Sequence, residues 1–177
     1  MRALVIYESM YGNTQAIAEA IAAGLAEADV EVTTCEVSEA PTALGELDLV
    51  VAGGPTHAFG MSRASTREDA ATKGHEPVIS RVIGLREWID ALEPVQPTAR
   101  VAVATFDTRV RHPRVPGSAA RAARKHLRQH GYRAVDPATT FWVDGMEGPL
   151  LDGEEDRARR WGADLAVGIR THEASPR

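Results

Sequence analysis

The stretch YESMYGNTQAIAEAI, residues 7–21, decides how the rest of the chain is read. The apolar run Ala3–Ile6 leads into it, and Ser9, Gly12, Asn13 and Thr14 interrupt the run. Helical spacing then begins at once, with Ile17, Ile21 and Leu25 on one face at i, i+4 and i+8. A strand, a tight turn and a helix start are thus written in sequence. The first N–H groups of a helix have no intrahelical partner, and the helix dipole there favours an anion. The Ser9 and Thr14 hydroxyls and the Asn13 amide add neutral donors, and Gly12 tolerates the positive φ that a tight turn uses. Ordinary capping by Ser or Asn would account for the same residue types, so the position of the loop in the sheet carries weight.

Three other phosphate sites are excluded by what the stretch lacks. A nucleotide-hydrolase loop needs a lysine beside the hydroxyl residue that opens the helix, and none is present. A dinucleotide fingerprint needs three spaced glycines where this loop has only Gly12. A phospho-relay receiver needs a carboxylate after the third strand, where this chain has Gly53-Gly54-Pro55.

Working outward, LDLVVAG (47–53) and VAVATF (101–106) are continuous apolar runs suited to parallel strands buried on both faces. DVEVTTCEV (29–37) alternates with polar residues, and YRAVDPATTFWV (132–143) contains Pro137, so both belong at sheet edges. The helices between them carry one apolar face each: Val82, Leu85, Ile89 and Leu92; then Ala119, Ala120, Ala123 and Leu127; then Ala158, Trp161, Leu165 and Ile169. APTALGEL (40–47) supports one or two helical turns, and SRASTREDAATKGHEP (62–77) shows no hydrophobic face and reads as a long polar loop or a lid. The alternation predicts an α/β fold: a doubly wound, five-stranded parallel sheet of order 2-1-3-4-5 in a three-layer αβα sandwich. Residues 1–171 would form one domain and 172–177 a frayed tail. In such a sheet the loops Ser9–Thr14, Gly54–Met61 and Asp107–Gly117 meet at the carboxyl edge, where ligands bind.

Composition bounds the rest. With 177 residues, net charge −5, 44% hydrophobic and 25% charged residues, the chain fits one globular domain. The acidity argues against nucleic acid as a partner, the apolar runs are too short to span a membrane, and no basic-then-apolar leader opens the chain. The single Cys35 reads as a packed side chain in a reducing, cytoplasmic setting. Self-association is left open.

The motif ESMYGNT after the first strand resembles the phosphate loop of flavodoxin-like FMN proteins, with Ser9, Gly12, Asn13 and Thr14 matching and Tyr11 replacing a small hydroxyl residue. GGPTHAFGM (53–61) is similar to the ring-holding loop of the quinone-reductase-like branch. FDTRVRHPR (106–114) departs from flavodoxins proper, which carry acidic residues and a stacking tyrosine there. The resemblance, which spans roughly residues 2–171, implies FMN as cofactor at the switch point known for this family. It places FMN against Ser9, Met10, Tyr11, Gly12, Asn13 and Thr14; then Pro55, Thr56, His57, Ala58, Phe59 and Gly60, with Phe59 stacking on the ring; then Phe106, Asp107, Thr108 and Arg109.

The implied function is electron transfer between a reductant and either a redox partner protein or a small quinone-like acceptor. Carrier and NAD(P)H:quinone-type oxidoreductase are not separated by sequence, because the flavin does the chemistry; a porphyrinogen dehydrogenase shares the domain. A competing expectation is an interaction module that has lost FMN, motivated by the missing tyrosine. Arg109, Arg111, Arg114 and His57 near the ring would favour the anionic reduced flavin and raise the potential, favouring two-electron chemistry.

Overall fold

The computed structural model describes residues 1–174 apart from 58, 76, 96–100 and 114–115, with the backbone alone for 172–174. The strands are β1 (Arg2–Tyr7), β2 (Glu31–Glu36), β3 (Leu49–Pro55), β4 (Ala102–Val110), β5 (Arg133–Ala134) and β6 (Thr139–Val143). All pairings are parallel, and the order is β2-β1-β3-β4-β5, with β6 also on β4. The doubly wound order read from the sequence is therefore observed, with one amendment. The fifth strand is broken: β5 pairs with Ala102 and Val103, and β6 with Phe106–Val110. Pro137 lies in the break, where its missing N–H costs no ladder bond.

The helices are α1 (Asn13–Glu27), α2 (Ala64–Lys73), α3 (Leu85–Asp90), α4 (Ala119–Gln129) and α5 (Glu154–Ala174). The strand pleat sends alternate side chains to opposite faces. Ala3, Val5, Val51, Ala104 and Phe106 pack with α1 and α5, while Leu4, Ile6, Val50, Ala52 and Val103 pack with α3 and α4. Helices α1 and α5 approach closely at Gly24 and Gly162, where an added Cβ would overlap the backbone carbonyls of Arg159 and Ile21 respectively. No helix among the described residues is long and apolar enough to cross a membrane.

Three sequence expectations need correction. The 40–47 segment forms no helix; the preceding residues Val37–Glu39 make a single 3₁₀ turn. The third helix starts only at Leu85, leaving Val82 79% exposed outside it. Most importantly, the segment 62–77 is not a structureless loop, because it contains α2. Its buried face consists of Ala70 and Arg67, so no apolar stripe advertises the helix. Arg67, only 3% exposed, forms a two-pronged pair with Glu87 at 3.0 and 3.2 Å and donates to Ser62 Oγ at 2.9 Å.

Candidate functional site

At the carboxyl ends of β1, β3 and β4 lies a cavity of about 360 Å³. The turn out of β1 forms its floor. Gly12 is the N-cap of α1 with φ +88°, and nothing lies within 4 Å of the position a Cβ would take. Ser9, fully buried, accepts from the N–H groups of Gly12 (3.1 Å) and Gln15 (3.4 Å). Ser80 braces the turn from behind: its N–H donates to the Ser9 carbonyl at 2.9 Å, and its hydroxyl accepts from the Ser9 N–H at 2.9 Å.

The N–H groups of Tyr11, Asn13 and Thr14 have no protein acceptor among the described residues. They stand at the positive end of α1, as an anion site requires. The Asn13 amide donates to the Glu147 carbonyl at 2.9 Å, tying the turn to the segment after β6. The Thr14 and Thr108 hydroxyls lie 2.7 Å apart, so one proton is used between them and the other is left for a ligand.

The second loop rises from β3. Its Thr56 N–H donates to the Thr108 carbonyl at 3.0 Å, and His57 and Gly60 exchange N–H···O bonds at 2.8 Å, closing a tight turn. Phe59, at the tip, has φ +77° and is 60% exposed. Gly117 backs this tip; a Cβ there would overlap the Phe59 carbonyl. Burial holds the His57 pKa below its ordinary value, and the nearby Arg67 charge adds to this. His57 is therefore neutral at physiological pH and does not join the positive charge that the sequence reading counted near the ring.

Ten of the sequence-chosen residues share the cavity: Ser9, Met10, Tyr11, Asn13 and Thr14 on one side, Pro55, Thr56 and His57 above, and Thr108 and Arg109 opposite. Gly12 shapes the turn beneath. Phe59 and Gly60 border a neighbouring cleft with Arg63 and Arg86 instead, and Ala58 and Arg114 lie outside the described residues. Two of the chosen residues turn their side chains away from the cavity. Phe106 is fully buried and packs edge-on against Phe141 and Trp161 beneath Gly53, so its side chain belongs to the core. Asp107 is also fully buried and serves as an anchor. Its Oδ2 accepts from the Thr56 hydroxyl (2.9 Å), the Ser118 hydroxyl (2.6 Å) and the Ala120 N–H (3.1 Å), fastening the second loop to the start of α4.

The cavity also has walls that sequence reasoning missed. Asp69 and Lys73 reach it from α2, beside Thr66, which the lid reading of 62–77 sets at the mouth, and Val143 and the exposed Met146 also line it. Arg109 enters from β4, its guanidinium carbon 5.7 Å from the Trp142 ring centroid.

Below the second loop, Glu8 is 1% exposed. Its Oε2 accepts from the Leu85 N–H at 2.8 Å, and its Oε1 is buried without a partner among the described residues. Burial raises the Glu8 pKa, against the opposing influence of Ser62, the Leu85 N–H and Arg67. The folded protein thus holds this proton more tightly than the unfolded chain does. Its stability falls as pH climbs from the ordinary carboxyl value of 4.5 through the raised one, and levels off above it. Glu8→Gln removes this dependence. Denaturant titrations should show the variant gaining stability relative to the parent protein as pH rises through that window; a gap independent of pH would contradict the assignment. The lowered His57 pKa acts in the opposite sense at the acid end, but it is common to both proteins and cancels in the difference.

The flavodoxin family model matches residues 5–161. No curated protein matches the sequence. Among solved structures, oxidised flavodoxin 1 from Bacillus cereus superposes with a TM-score of 0.68 at 17% identity, covering 97% of this chain and 99% of that one. A flavodoxin from the domain Archaea gives 0.65 at 20% identity, covering 96% and 99%. The rubredoxin oxygen:oxidoreductase of Desulfovibrio gigas gives 0.66 at 14% identity, covering 98% of this chain and 37% of that larger one.

Proposed function

This chain belongs to the flavodoxin family, and on that premise we propose that it binds FMN in the cavity above α1 and passes electrons between a reductant and an acceptor. The observation that carries the reading is that the N–H groups of Tyr11, Asn13 and Thr14 at the start of α1 have no acceptor among the described residues and line a cavity that no described side chain fills. This arrangement fits a phosphate ester: neutral donors, a dipole of the right sign, and Gly12 leaving space for close approach. When bound, the flavin supplies the redox chemistry.

The protein's share is positional. The turn at Ser9–Thr14 would hold the phosphate, the Thr14–Thr108 pair would donate toward it, and Thr56, His57 and Arg109 would border the ring. Neutral His57 would be a hydrogen-bonding group and not a charge. The acceptor would be a redox partner protein or a small quinone-like molecule, in a cytoplasmic setting. The competing reading, an interaction module without FMN, lacks support from the open cavity. Purification tests the choice: a yellow protein releasing FMN, reversibly bleached by reductant, supports the flavin reading, and a colourless protein that ignores added FMN refutes it.

Arg109, near the end of β4, reaches the cavity. A unit charge about 6 Å from a developing anion contributes roughly 2–3 kcal/mol at an effective dielectric near 20, before screening by solvent and salt at this half-exposed position. A tenfold equilibrium change on a one-electron couple is about 59 mV. Arg109→Gln should therefore lower the flavin potential by several tens of millivolts, read by spectroelectrochemical titration. An unchanged potential would remove Arg109 from the flavin environment.

A further inference from the structure

Helix α2 has an unusual packing partner. It is not a layer of the sandwich. Its apolar contacts are Ala70 and Ala71 against Met10, Tyr11 and Val78, a small cluster separate from both faces of the sheet. It therefore sits on the turn that follows β1. The Tyr11 hydroxyl donates to the Ala70 carbonyl at 2.9 Å, and Gly74, just past the helix, lies so close to the Tyr11 ring that a Cβ could not be placed without moving it. His75 then closes the far side. Its N–H reaches Glu147 Oε1 at 3.2 Å and its Nδ1 lies 3.0 Å from the same oxygen, while the Glu147 carbonyl accepts from Asn13. The last turn of α2 is thus fastened from two sides over the N-terminus of α1.

That last turn carries Lys73, one of only two lysines in the chain. Lys73 lines the cavity together with Ser9, Asn13 and Thr14. Its ammonium lies 3.4 Å from Asp69 Oδ2, with the two side chains 68% and 66% exposed. An exposed i,i+4 pair of this kind is weak and easily exchanged. A dianionic phosphate ester placed on the α1 amides is a more highly charged partner for the same ammonium.

We propose that Lys73 supplies the phosphate of the bound mononucleotide with the positive charge that the turn itself lacks, leaving Asp69 when the ligand enters. Helix α2 is then a phosphate cap, and the chain discriminates phosphorylated from unphosphorylated flavin by charge as well as by hydrogen bonding. The inference rests on the flavin reading above. The lysine that a phosphate site commonly carries beside its turn is delivered here from helix α2.

The test is a comparison of FMN and riboflavin affinities, by quenching of flavin fluorescence, for the parent protein and for Lys73→Gln, Lys73→Arg and Asp69→Asn. Lys73→Gln should weaken FMN about tenfold and riboflavin less than twofold. Lys73→Arg should retain FMN affinity within about threefold, which also reports an intact cap. Asp69→Asn should tighten FMN severalfold by removing the competing carboxylate. Equal losses for both flavins in Lys73→Gln, or no loss for FMN, would overturn the role of Lys73 while leaving the flavin site standing. A parent protein that binds neither flavin would refute the flavin reading and the cap with it.

Discussion

Replacing Thr14 with valine is expected to weaken FMN binding ten- to a hundredfold. Thr14 is 1% exposed, and its hydroxyl has Thr108 as partner at 2.7 Å. Valine keeps the branched shape but donates nothing. A hydrogen bond to a charged group contributes roughly 1.5–3 kcal/mol, and each 1.4 kcal/mol is about a factor of ten in affinity. The buried Thr108 hydroxyl would also lose its partner, a cost of about 1–3 kcal/mol that falls on stability and not on the ligand. Measuring unfolding and FMN affinity on the same variant separates these two effects. Thr108→Val should cost less affinity, because Thr14 stays at the helix start and can turn its proton to the phosphate. Unchanged FMN affinity in Thr14→Val would mean that the start of α1 is not where the phosphate sits.

The second large effect concerns the scaffold that aims α1. Gly162→Ala should destabilise the protein by about 2–3 kcal/mol, within the usual range for overpacking. The new methyl would meet the Ile21 carbonyl, which is backbone of α1 and cannot rotate away. The intrinsic helical preference of alanine over glycine, about 1 kcal/mol, works in the other direction and is outweighed. For a chain of this length each kcal/mol shifts the unfolding temperature by roughly 2–4 °C, so a fall of about 4–12 °C is expected by calorimetry. Gly168→Ala on the same helix faces open space and should be neutral or mildly stabilising. Gly24→Ala meets the Arg159 carbonyl across the same contact, so the double variant should be non-additive. Equal behaviour of Gly162→Ala and Gly168→Ala would contradict the close approach of α1 and α5.

Much of this was legible in the chain because the informative residues are local. Ser9, Gly12, Asn13 and Thr14 are near neighbours at one strand–helix junction, and apolar runs mark β1, β3 and most of β4 without ambiguity. What the sequence leaves unread has physical causes. The apolar run marks β4 only as far as Phe106, but β6 pairs with it as far as Val110. The extended pleat turns Phe106 into the core and Asp107 toward α4, leaving Thr108 and Arg109 to reach the cavity. Phe59, expected from the resemblance to stack on the ring, stands exposed at the tip of the His57–Gly60 turn, a conformation set by that turn's backbone bonds. Helix α2 was invisible to periodicity because an ion-paired arginine and small alanines form its inner face. With the helix went Lys73 and Asp69, whose place beside a loop some sixty residues earlier depends on tertiary packing alone.

The central claim is that the free amides opening α1 grip the phosphate of a flavin mononucleotide. Amide NMR of the labelled protein during FMN titration tests it most directly. The expected result is saturation at one FMN per chain, with the largest downfield proton shifts at Tyr11, Asn13 and Thr14. Saturable binding that leaves those three amides in place, or no binding at all, would contradict it.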